Sequence, residues 1–404
     1  MSTTTPAPGR ALLGFGAALD REVGWDSEVM TRLAAEHGIG PADLAAVSRG
    51  PVRTERDLVA SVLDHLARGV GGERYVEEPD VLTGFADRFT GVDSLGGTCV
   101  RAAAAMRLLG RPATVHLAFD DPAVRRLLPP GTEAVVAASW EPFHPHVIVQ
   151  YPQGARVRTD LLDLTAVRAN RLIYVNDPAN ERIRLVDDLA ARTAQAGTVL
   201  VSGLNAIRDP GMLEDRLEQV TAALRSRPSG SLAYYEDAGY HEDGSAAVVR
   251  NRLGRLCDVV GLNEDELAAA SGVEGLDLLD AEAVQRAVGK VLRGCGAATL
   301  VVHSGRWALA HGAVTPRIVD GLRSGVAMAT GRYVLGDRVT PDEAERLVAG
   351  PVDPEVERFA RAVEELGDGR TSVVPVPRVD PRAPTTVGLG DTFVGGFLAV
   401  AGPP

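Results

Sequence analysis

The stretch Thr299-Leu300-Val301-Val302-His303 gives the clearest indication of fold class in this 404-residue sequence. Its apolar residues follow one another without the alternation of a half-exposed strand, which is typical of a parallel strand covered on both faces. Similar short apolar runs, bounded by polar residues, glycine or proline, occur at residues 11–17, 114–118, 135–139, 147–151, 198–202, 232–235, 258–261 and 373–376. The sequence therefore predicts a sheet made largely of buried strands.

Longer stretches with helical periodicity alternate with these runs. They cover residues 54–68, 98–109, 212–225, 281–292 and 341–349. Thr54, Thr98 and Thr340 are predicted to cap three of these helices, and Pro341 suits the first helical position after Thr340. Strands that alternate with helices in this way predict an α/β protein built on a doubly wound sheet.

Two separated segments depart from that alternation. Residues 19–93 are helix-rich and strand-poor, whereas residues 141–175 are β-rich but interrupted by prolines. We expect these segments to combine into a smaller, discontinuous α/β lid domain over the main sheet. The large domain is then predicted to comprise residues 11–18, 94–140 and 176–404, after a disordered tail at residues 1–10.

Composition narrows the classes of partner. A formal net charge of -12 argues against binding to nucleic acid, which usually requires a basic patch. Lys290 is the only lysine, so a Gly-Lys-Ser/Thr phosphate loop is excluded. The three cysteines form no metal or disulfide pattern, and no apolar run reaches the roughly 18 residues that a membrane span needs. We expect a cytoplasmic protein that is a monomer or a small homo-oligomer.

The run Gly388-Leu389-Gly390-Asp391 opens an apolar helix shortly after the strand at residues 373–376. The first N–H groups of a helix have no partner within it and favour anions, and glycines allow a ligand to come close. An aspartate at this place can take the proton from a hydroxyl while the amides hold a phosphoryl group. The alternative is an ordinary turn in which the helix dipole alone favours Asp391.

A second motif, Asn263-Glu264-Asp265-Glu266, follows the strand at residues 258–261. Asn263 and Glu266 share one face of the first turn of a helix, where an amide and a carboxylate can hold water ligands of magnesium. The alternative is a capping box, in which Asn263 caps the helix and Glu266 reaches back. Both interpretations stay open at this point.

A third motif, Gly96-Gly97, precedes a helix rich in alanine at residues 98–109. The glycine pair suits a loop whose backbone contacts sugar hydroxyls. The alternative is that the small residues only allow close helix packing.

Other candidate residues carry weaker signals. Residues 240–243, Tyr-His-Glu-Asp, are more typical of a solvated turn than of a metal site. His144 and His146 share a strand face, but without a third ligand a structural or substrate-facing role is favoured over a metal site. Gly14 and Gly16 follow a strand but lack the remainder of a dinucleotide-binding motif.

The three motifs occur in an order that resembles the ribokinase-like sugar kinases: Gly-Gly before an alanine-rich helix, Asn-x-x-Glu after a central strand, and Gly-x-Gly-Asp before the last helix. Finer matches resemble one branch, the ADP-dependent glucokinases and phosphofructokinases. They are Gly14-Phe15 with Asp20, Asn170-Arg171-Leu172-Ile173 with Asp177 and Asn180, Ser202-Gly203-Leu204-Asn205, Val302-His303-Ser304 with Trp307, and Thr386-Val387-Gly388-Leu389-Gly390-Asp391-Thr392. Together they span most of the chain from Leu12 to Leu398.

The resemblance implies a ribokinase-like fold with a lid and a kinase reaction. ADP would donate a phosphoryl group, giving AMP, to a hydroxyl of a sugar or sugar phosphate such as glucose or fructose 6-phosphate, with Mg²⁺ as cofactor. The acceptor would bind between the lid and the sheet. An ATP-dependent ribokinase-like sugar or nucleoside kinase and a non-catalytic sensor of sugars or nucleotides are the alternatives.

The resemblance also implies a role for each matching residue. Asp391 would be the base, and the amides of Leu389, Gly390 and Asp391 would form the anion hole. Asp20 and the Gly96-Gly97 backbone would hold sugar hydroxyls. Glu236, Asn263 and Glu266 would hold magnesium and its waters. The residues that would bind the nucleotide are His303, Ser304, Thr386 and Gly388.

This chain departs from the family pattern at two places. Tyr234-Tyr235-Glu236 stands where the family usually has His-x-Glu, so the carboxylate is kept and the histidine is not. Gly16-Ala17-Ala18-Leu19 lacks the asparagines typical of the branch. The departures concern the handling of magnesium and the identity of the sugar, and they motivate the sensor alternative.

Overall fold

The fold is known from a computed structural model that describes residues 9–48, 50–137, 142–240, 244–381, 385 and 387–403. Some predicted features lie outside the described residues. These are most of the tail at residues 1–10, the end of the strand at 135–139, residues 241–243 of the Tyr-His-Glu-Asp turn, and Thr386.

The strands are numbered in chain order. They are β1 (Ala11–Gly14), β2 (Ala18–Val23), β3 (Gly72–Tyr75), β4 (Gly91–Gly96), β5 (Ala113–Leu117), β6 (Glu133–Val136), β7 (His146–Tyr151), β8 (Arg156–Arg158), β9 (Asp163–Thr165), β10 (Asn170–Val175), β11 (Thr198–Val201), β12 (Leu232–Glu236), β13 (Val259–Asn263), β14 (Thr299–His303), β15 (Trp307–Gly312) and β16 (Thr371–Pro375).

The helices follow the same convention. They are α1 (Ser27–Glu36), α2 (Pro41–Val47), α3 (Glu55–Arg68), α4 (Pro79–Ala86), α5 (Thr98–Leu108), α6 (Pro122–Leu127), α7 (Pro178–Glu181), α8 (Leu189–Thr193), α9 (Pro210–Leu224), α10 (Ser245–Gly254), α11 (Glu264–Ser271), α12 (Ala281–Cys295), α13 (Pro316–Leu335), α14 (Pro341–Val348), α15 (Pro354–Leu366) and α16 (Leu389–Ala401). Among the described helices, none is long and apolar enough to cross a membrane.

The described chain forms two compact units. One consists of the described residues within 1–17, 97–139 and 180–404, and the other of those within 18–96 and 140–179. The smaller unit thus begins one residue before, and ends four residues after, the outer limits 19 and 175 that the sequence predicts for the lid. Each unit has its own main sheet.

The larger unit contains a nine-stranded sheet in the order β16-β15-β14-β13-β12-β11-β1-β5-β6. The strands β6, β5, β1, β11, β12, β13 and β14 each pair in parallel with their neighbours in this series. β15 is antiparallel to both of its neighbours, β14 and β16. The order reverses at β1, which pairs with β5 on one side and with β11 on the other. This is the doubly wound α/β fold that the sequence predicts, and ligands of such sheets bind at the carboxyl ends of the strands near a reversal.

Three carboxyl ends bring polar residues to that edge. β12 ends at Glu236, β13 at Asn263 and β14 at His303. Pairing places Glu236 beside Gly261 and Asn263 beside His303. The uninterrupted apolar run at residues 299–303 forms β14, whose Leu300, Val301 and Val302 are fully buried.

The last helix of the larger unit, α16, packs closely against α5 and α13. A methyl group added at Gly395 would lie 2.7 Å from the Cα atom of Ala102, and one added at Gly325 would lie 2.6 Å from the ring of Phe393. Glycine at these positions lets the helix backbones approach. The small residues of α5 therefore have the packing role that the sequence allowed.

The smaller unit contains a five-stranded sheet in the order β3-β10-β7-β2-β4. The antiparallel β2–β4 and β7–β10 pairs flank a parallel β2–β7 pair. Its core includes Met30, Leu63, Phe85 and Tyr174, all of which are fully buried.

Residues 19–93 are helix-rich, in line with the sequence, but they also include three short strands, β2, β3 and β4, that the sequence did not indicate. Their residues include Arg21, Glu22 and Asp93, which pair across the sheet with partly exposed side chains. Such polar, short strands carry no apolar run. The single strand predicted at residues 11–17 also ends early, because Gly16 adopts a φ of 80° before β2 begins.

Candidate active site

Asp391 lies in the first turn of α16, whose N-cap is Gly388. Gly388 has a φ of 69°, which L-amino acids with side chains seldom adopt. The first amide that bonds within the helix is that of Thr392, which donates to the carbonyl of Gly388 at 3.0 Å. The amides of Leu389, Gly390 and Asp391 therefore precede the hydrogen-bonded helix and are oriented for an anion.

The carboxylate of Asp391 is held by α5. The hydroxyl of Thr98 donates to Oδ1 of Asp391 at 2.8 Å, and Nε of Arg101 lies 3.8 Å from Oδ2. The prediction that Thr98 caps α5 is wrong, because Gly97, with a φ of 94°, occupies the cap and Thr98 is the first helical residue. Its hydroxyl is thereby available to Asp391.

Glu236 lies at the end of β12 and is buried. Its Oε1 is 2.8 Å from Nε2 of His303, whereas its Oε2 has no hydrogen-bond partner among the described residues. Burial by itself lowers the pKa of His303, but the charge and hydrogen bond of Glu236, with the charges of Glu266 and Glu264, raise that pKa overall. Glu236 thus contacts His303 through one carboxylate oxygen and leaves the other without a hydrogen-bond partner among the described residues.

Asn263 and Glu266 form the capping box of α11. The amide of Glu266 donates to Oδ1 of Asn263 at 2.9 Å, and the amide of Asn263 donates to Oε2 of Glu266 at 2.8 Å. Burial, and then the charge of Glu236, raise the pKa of Glu266 to about 8. The capping interpretation is therefore confirmed, and it brings Glu266 into the electrostatic field of Glu236.

A buried network behind Glu236 anchors the end of β12. Asp237 accepts a hydrogen bond from the hydroxyl of Tyr235 at 2.6 Å, and it forms an ion pair with Arg250 of α10. Its amide donates to the carbonyl of Gly261 at 2.9 Å. The sequence did not reveal this network, because neither the charge of Asp237 nor that of Arg250 belongs to a motif.

The ring of His303 joins the two halves of the site. A methyl group at Gly390 would lie 3.0 Å from Cε1 of His303, and the ring packs on Phe393 of α16 with centroids 4.9 Å apart. The imidazole therefore lies between Glu236 and the first turn of α16. Sequence reasoning assigned His303 to the nucleotide but missed its contact with Glu236, which lies 67 positions earlier in the chain.

Ser304, the other nucleotide-binding candidate of this segment, shapes a turn. Its hydroxyl donates to the carbonyl of Trp307 at 2.9 Å and accepts from the amide of Trp307 at 3.1 Å. Thr386, another of the four nucleotide-binding candidates, lies outside the described residues. Its neighbour Val387 accepts a hydrogen bond from Nε of Arg332 in α13 at 3.0 Å.

In the smaller unit, Asp20 of β2 and Asp177 are buried aspartates that both lie near the ring of His146. Nδ1 of His146 is 3.6 Å from Oδ1 of Asp20, and Nε2 of His146 is 2.9 Å from Oδ2 of Asp177. Burial opposes protonation, but Asp177, Asp20 and Glu73 together raise the pKa of His146. A methyl group at Gly96 would lie 2.5 Å from both carboxylate oxygens of Asp20, so glycine is required beside that carboxylate.

The structure thus brings one group of predicted residues together within the larger unit: Gly388, Leu389, Gly390, Asp391, Glu236, Asn263, Glu266 and His303. Asp20 and Gly96 are neighbours in the smaller unit, and Gly97 begins the return to the larger one. Among the described residues, no group of three or more His, Cys, Asp or Glu side chains is arranged to bind a metal directly.

The sequence profile of the ADP-specific phosphofructokinase/glucokinase conserved region matches residues 9–303. This chain belongs to that family. The kinase is therefore a member of the ADP-dependent sugar kinases, which are phosphotransferases with an alcohol group as acceptor. The resemblance inferred from the order of the motifs is confirmed. A search of curated proteins gives no match to the sequence.

Solved structures share the fold of the kinase at low sequence identity. A phosphofructokinase from Pyrococcus horikoshii OT3 with AMP has a TM-score of 0.77 and 17% identity, covering 98% of each chain. The last common ancestor of ADP-dependent phosphofructokinases from Methanosarcinales has a TM-score of 0.72 and 15% identity, covering 98% of this chain and 94% of its own. An ADP-dependent kinase in complex with fructose 6-phosphate and ADPβS has a TM-score of 0.71 and 15% identity, covering 97% of this chain and 93% of its own. The match over nearly whole chains confirms the fold class.

Proposed function

We propose that this kinase transfers the terminal phosphoryl group of ADP to a hydroxyl of a sugar or sugar phosphate, with Asp391 as the general base. The observation that carries the proposal is the position of Asp391. Its carboxylate, held by Thr98 at 2.8 Å, projects from the first turn of α16 beside amides that are oriented for an anion. A base next to an anion site is what phosphoryl transfer to a hydroxyl requires.

The reaction follows from that arrangement. The Asp391 carboxylate accepts the proton of the acceptor hydroxyl, and the oxygen forms a bond to the terminal phosphorus of ADP. The bond between that phosphorus and the bridging oxygen breaks, so AMP leaves with the electron pair. The amides of Leu389, Gly390 and Asp391 stabilise the charge on the transferred group, which is the larger part of such catalysis.

Mg²⁺ is the cofactor we propose, and the residues present suit it. Glu236 keeps a buried carboxylate oxygen without a hydrogen-bond partner among the described residues, and such an atom calls for a water or a cation. Glu236, Asn263 and Glu266 would hold the ion and its waters, and oxygen ligands are those that magnesium prefers. When bound, the ion neutralises charge on the nucleotide phosphates.

The acceptor is proposed to be glucose or fructose 6-phosphate. Asp20 and the backbone of Gly96 and Gly97 would bind its hydroxyls. Asp20 is 5% exposed, and its Oδ1 lies 3.6 Å from Nδ1 of His146, so burial limits the orientations that its carboxylate can adopt. The ligands named for one related structure, fructose 6-phosphate and ADPβS, belong to the same chemical classes.

A donor and acceptor panel tests the proposal. Purified protein with Mg²⁺ is incubated with ADP or ATP against glucose, fructose 6-phosphate and ribose, and the nucleotide and sugar products are separated. We expect AMP and a phosphorylated sugar from ADP. Turnover with ATP alone would overturn the donor, and an ATP-dependent ribokinase-like sugar or nucleoside kinase would take its place.

A non-catalytic sensor is the second candidate, because Tyr234 replaces the family histidine two positions before Glu236. The structure supplies an imidazole to Glu236 from another strand, since His303 of β14 contacts it at 2.8 Å. That contact favours the enzyme. A melting-temperature rise with ADP or sugar but no product in the panel would favour the sensor.

A further inference from the structure

Arg101 is an unusual residue for the centre of a helix packed inside the protein. It lies in α5, its side chain is 6% exposed, and its Nε is 3.8 Å from Oδ2 of Asp391. Burying a guanidinium is costly unless its charge is matched, and an arginine is almost never buried without a partner. None of the motifs that predicted the site includes Arg101.

The backbone around the base leaves room for this side chain. A methyl group at Gly388 would collide with Cδ of Arg101 and lie 2.8 Å from its Nε. Gly388 is the N-cap of α16, so the stem of Arg101 lies directly against the turn that presents Asp391. The absence of a side chain at residue 388 thus serves both the turn and the arginine.

Arg101 and Thr98 approach different oxygens of the same carboxylate. The Thr98 hydroxyl donates to Oδ1 of Asp391, while the guanidinium lies beside Oδ2. Thr98 and Arg101 are three residues apart, and this spacing places their side chains on one face of α5. One helix face therefore gives a hydrogen bond to one oxygen of the carboxylate and places a positive charge beside the other.

We propose that Arg101 is a positioning residue for the base, which with Thr98 fixes the plane of the Asp391 carboxylate for proton transfer. The inference rests on the proposed function, and it adds a residue to that function. A guanidinium beside Oδ2 also offsets the repulsion between an anionic base and an anionic phosphoryl group, because opposite charges attract strongly where water is excluded. The acceptor hydroxyl then meets a carboxylate that neither rotates nor withdraws.

The first test is a kinetic cycle at the base. We expect Arg101→Met to lower kcat on the order of 100-fold, as for a misplaced catalytic group, and to leave KM for ADP unchanged. In the Asp391→Asn background the same substitution should lower kcat no further, because Arg101 acts through Asp391. An equal loss in both backgrounds would show that Arg101 contacts the reacting groups itself, and it would overturn the positioning role.

Two variants distinguish positioning from folding. Arg101→Lys keeps the charge but not the planar guanidinium, so its kcat should lie between those of wild type and Arg101→Met. Arg107→Met on the same helix removes an exposed arginine that donates to the carbonyl of Pro130, and its kcat should equal that of wild type. A wild-type kcat for Arg101→Met, or a lysine variant as slow as the methionine variant, would overturn the inference.

A second cycle measures the contact without turnover. The free energies of unfolding of Arg101→Met, Asp391→Asn and the double variant should be non-additive, since the two side chains form one ion pair. Additive effects would overturn the inference even if all variants were inactive. Absence of product from wild-type protein across the donor and acceptor panel would overturn the proposed function, whatever the unfolding cycle shows.

Discussion

At the scale of single residues, Gly261 controls the space around Glu236. A methyl group at this position would collide with the hydroxyl of Tyr234 and with Oε2 of Glu236, the oxygen without a partner among the described residues. Tyr234, which stands where the family usually has histidine, therefore shares one small space with the Glu236 carboxylate, which we propose as a magnesium ligand. The space exists because residue 261 has no side chain.

Gly261→Ala should displace Glu236, raise the Mg²⁺ concentration that half-maximal activity needs, and destabilise the protein by roughly 1–3 kcal/mol through overpacking. Activity against Mg²⁺ concentration and denaturant unfolding measure both effects. Gly294→Ala in α12 is the control, because a methyl group there meets nothing within 4 Å. An unchanged Mg²⁺ dependence of activity in Gly261→Ala would contradict the proposal that Glu236 holds the metal.

His116 provides a residue-scale prediction about pH. It is buried in β5, its Nε2 accepts from the amide of Val186 at 3.1 Å, and burial lowers its pKa to about 4. The unfolded chain takes up the proton near the ordinary value of 6.5, whereas the folded chain does not. The folded state therefore loses stability as the pH falls from 6.5 towards 4.

His116→Gln should remove that loss of stability, because the side-chain carbonyl oxygen of glutamine can still accept from the backbone N–H of Val186 but does not titrate. We expect the stability difference between wild type and variant to change by on the order of 3 kcal/mol between pH 6.5 and pH 4. Urea unfolding at several pH values measures it. Parallel curves for the two proteins would contradict the assignment.

Sequence reasoning at this scale identified the residues of motifs but not their partners. Asp391, Glu236 and Asn263 follow from short patterns and a family resemblance. Thr98 was assigned to a helix cap, and the structure instead directs its hydroxyl to Asp391, because a glycine with a positive φ already ends the loop. Contacts between side chains 293 positions apart, as for Thr98 and Asp391, depend on how helices pack and carry no local signal.

At the scale of elements, helix starts place the chemistry. α16 presents the base and the anion site, and α11 presents Asn263 and Glu266. Two described residues before α16 contact α13, since Arg332 donates to the carbonyl of Val387 and the carbonyl of Tyr333 accepts from the amide of Thr385 at 3.0 Å. The anion site is therefore organised by a neighbouring helix as well as by its own turn.

Asn263→Ala should remove the side-chain acceptor for the amide of Glu266 and cost about 1 kcal/mol of unfolding free energy. Asn263→Ser keeps an oxygen at the cap and should cost less. Denaturant unfolding of both variants, without nucleotide or metal, measures the cap alone. Equal stability of Asn263→Ala and wild type would contradict a cap that contributes to folding.

The sequence predicted most of the buried parallel strands, but it missed polar strands and also the buried, antiparallel β15. The run at residues 299–303 matches β14 because both faces are covered and the residues are apolar. β4 contains Asp93 and Ser94 between glycines and gave no signal. β15 is buried, but its sequence Trp-Ala-Leu-Ala-His-Gly lacks the β-branched residues that mark β14 as a strand. Tertiary pairing, rather than residue preference, creates such strands.

At the scale of the whole molecule, the order of motifs predicted more than any single motif. Gly96-Gly97, Asn263 with Glu266, and Gly388 to Asp391 are each common patterns. The doubly wound sheet explains the position of the second motif, because parallel strands deliver their carboxyl ends, here Asn263 of β13, to one edge, whereas Gly96 ends β4 of the smaller unit's sheet. The identity of the acceptor did not follow, since it depends on side chains from several elements rather than on the fold.

The role of Asp391 as the base is tested most directly by comparing the conversion of ADP to AMP by wild-type protein and by Asp391→Asn, with the acceptor that the panel identifies. We predict AMP and phosphorylated sugar in equal amounts from wild type, and a rate lower by about 10²- to 10⁴-fold in Asp391→Asn with unchanged ADP binding. Asp342→Asn, at the start of α14, should retain the wild-type rate. A wild-type rate in Asp391→Asn would contradict the role of Asp391 as the general base.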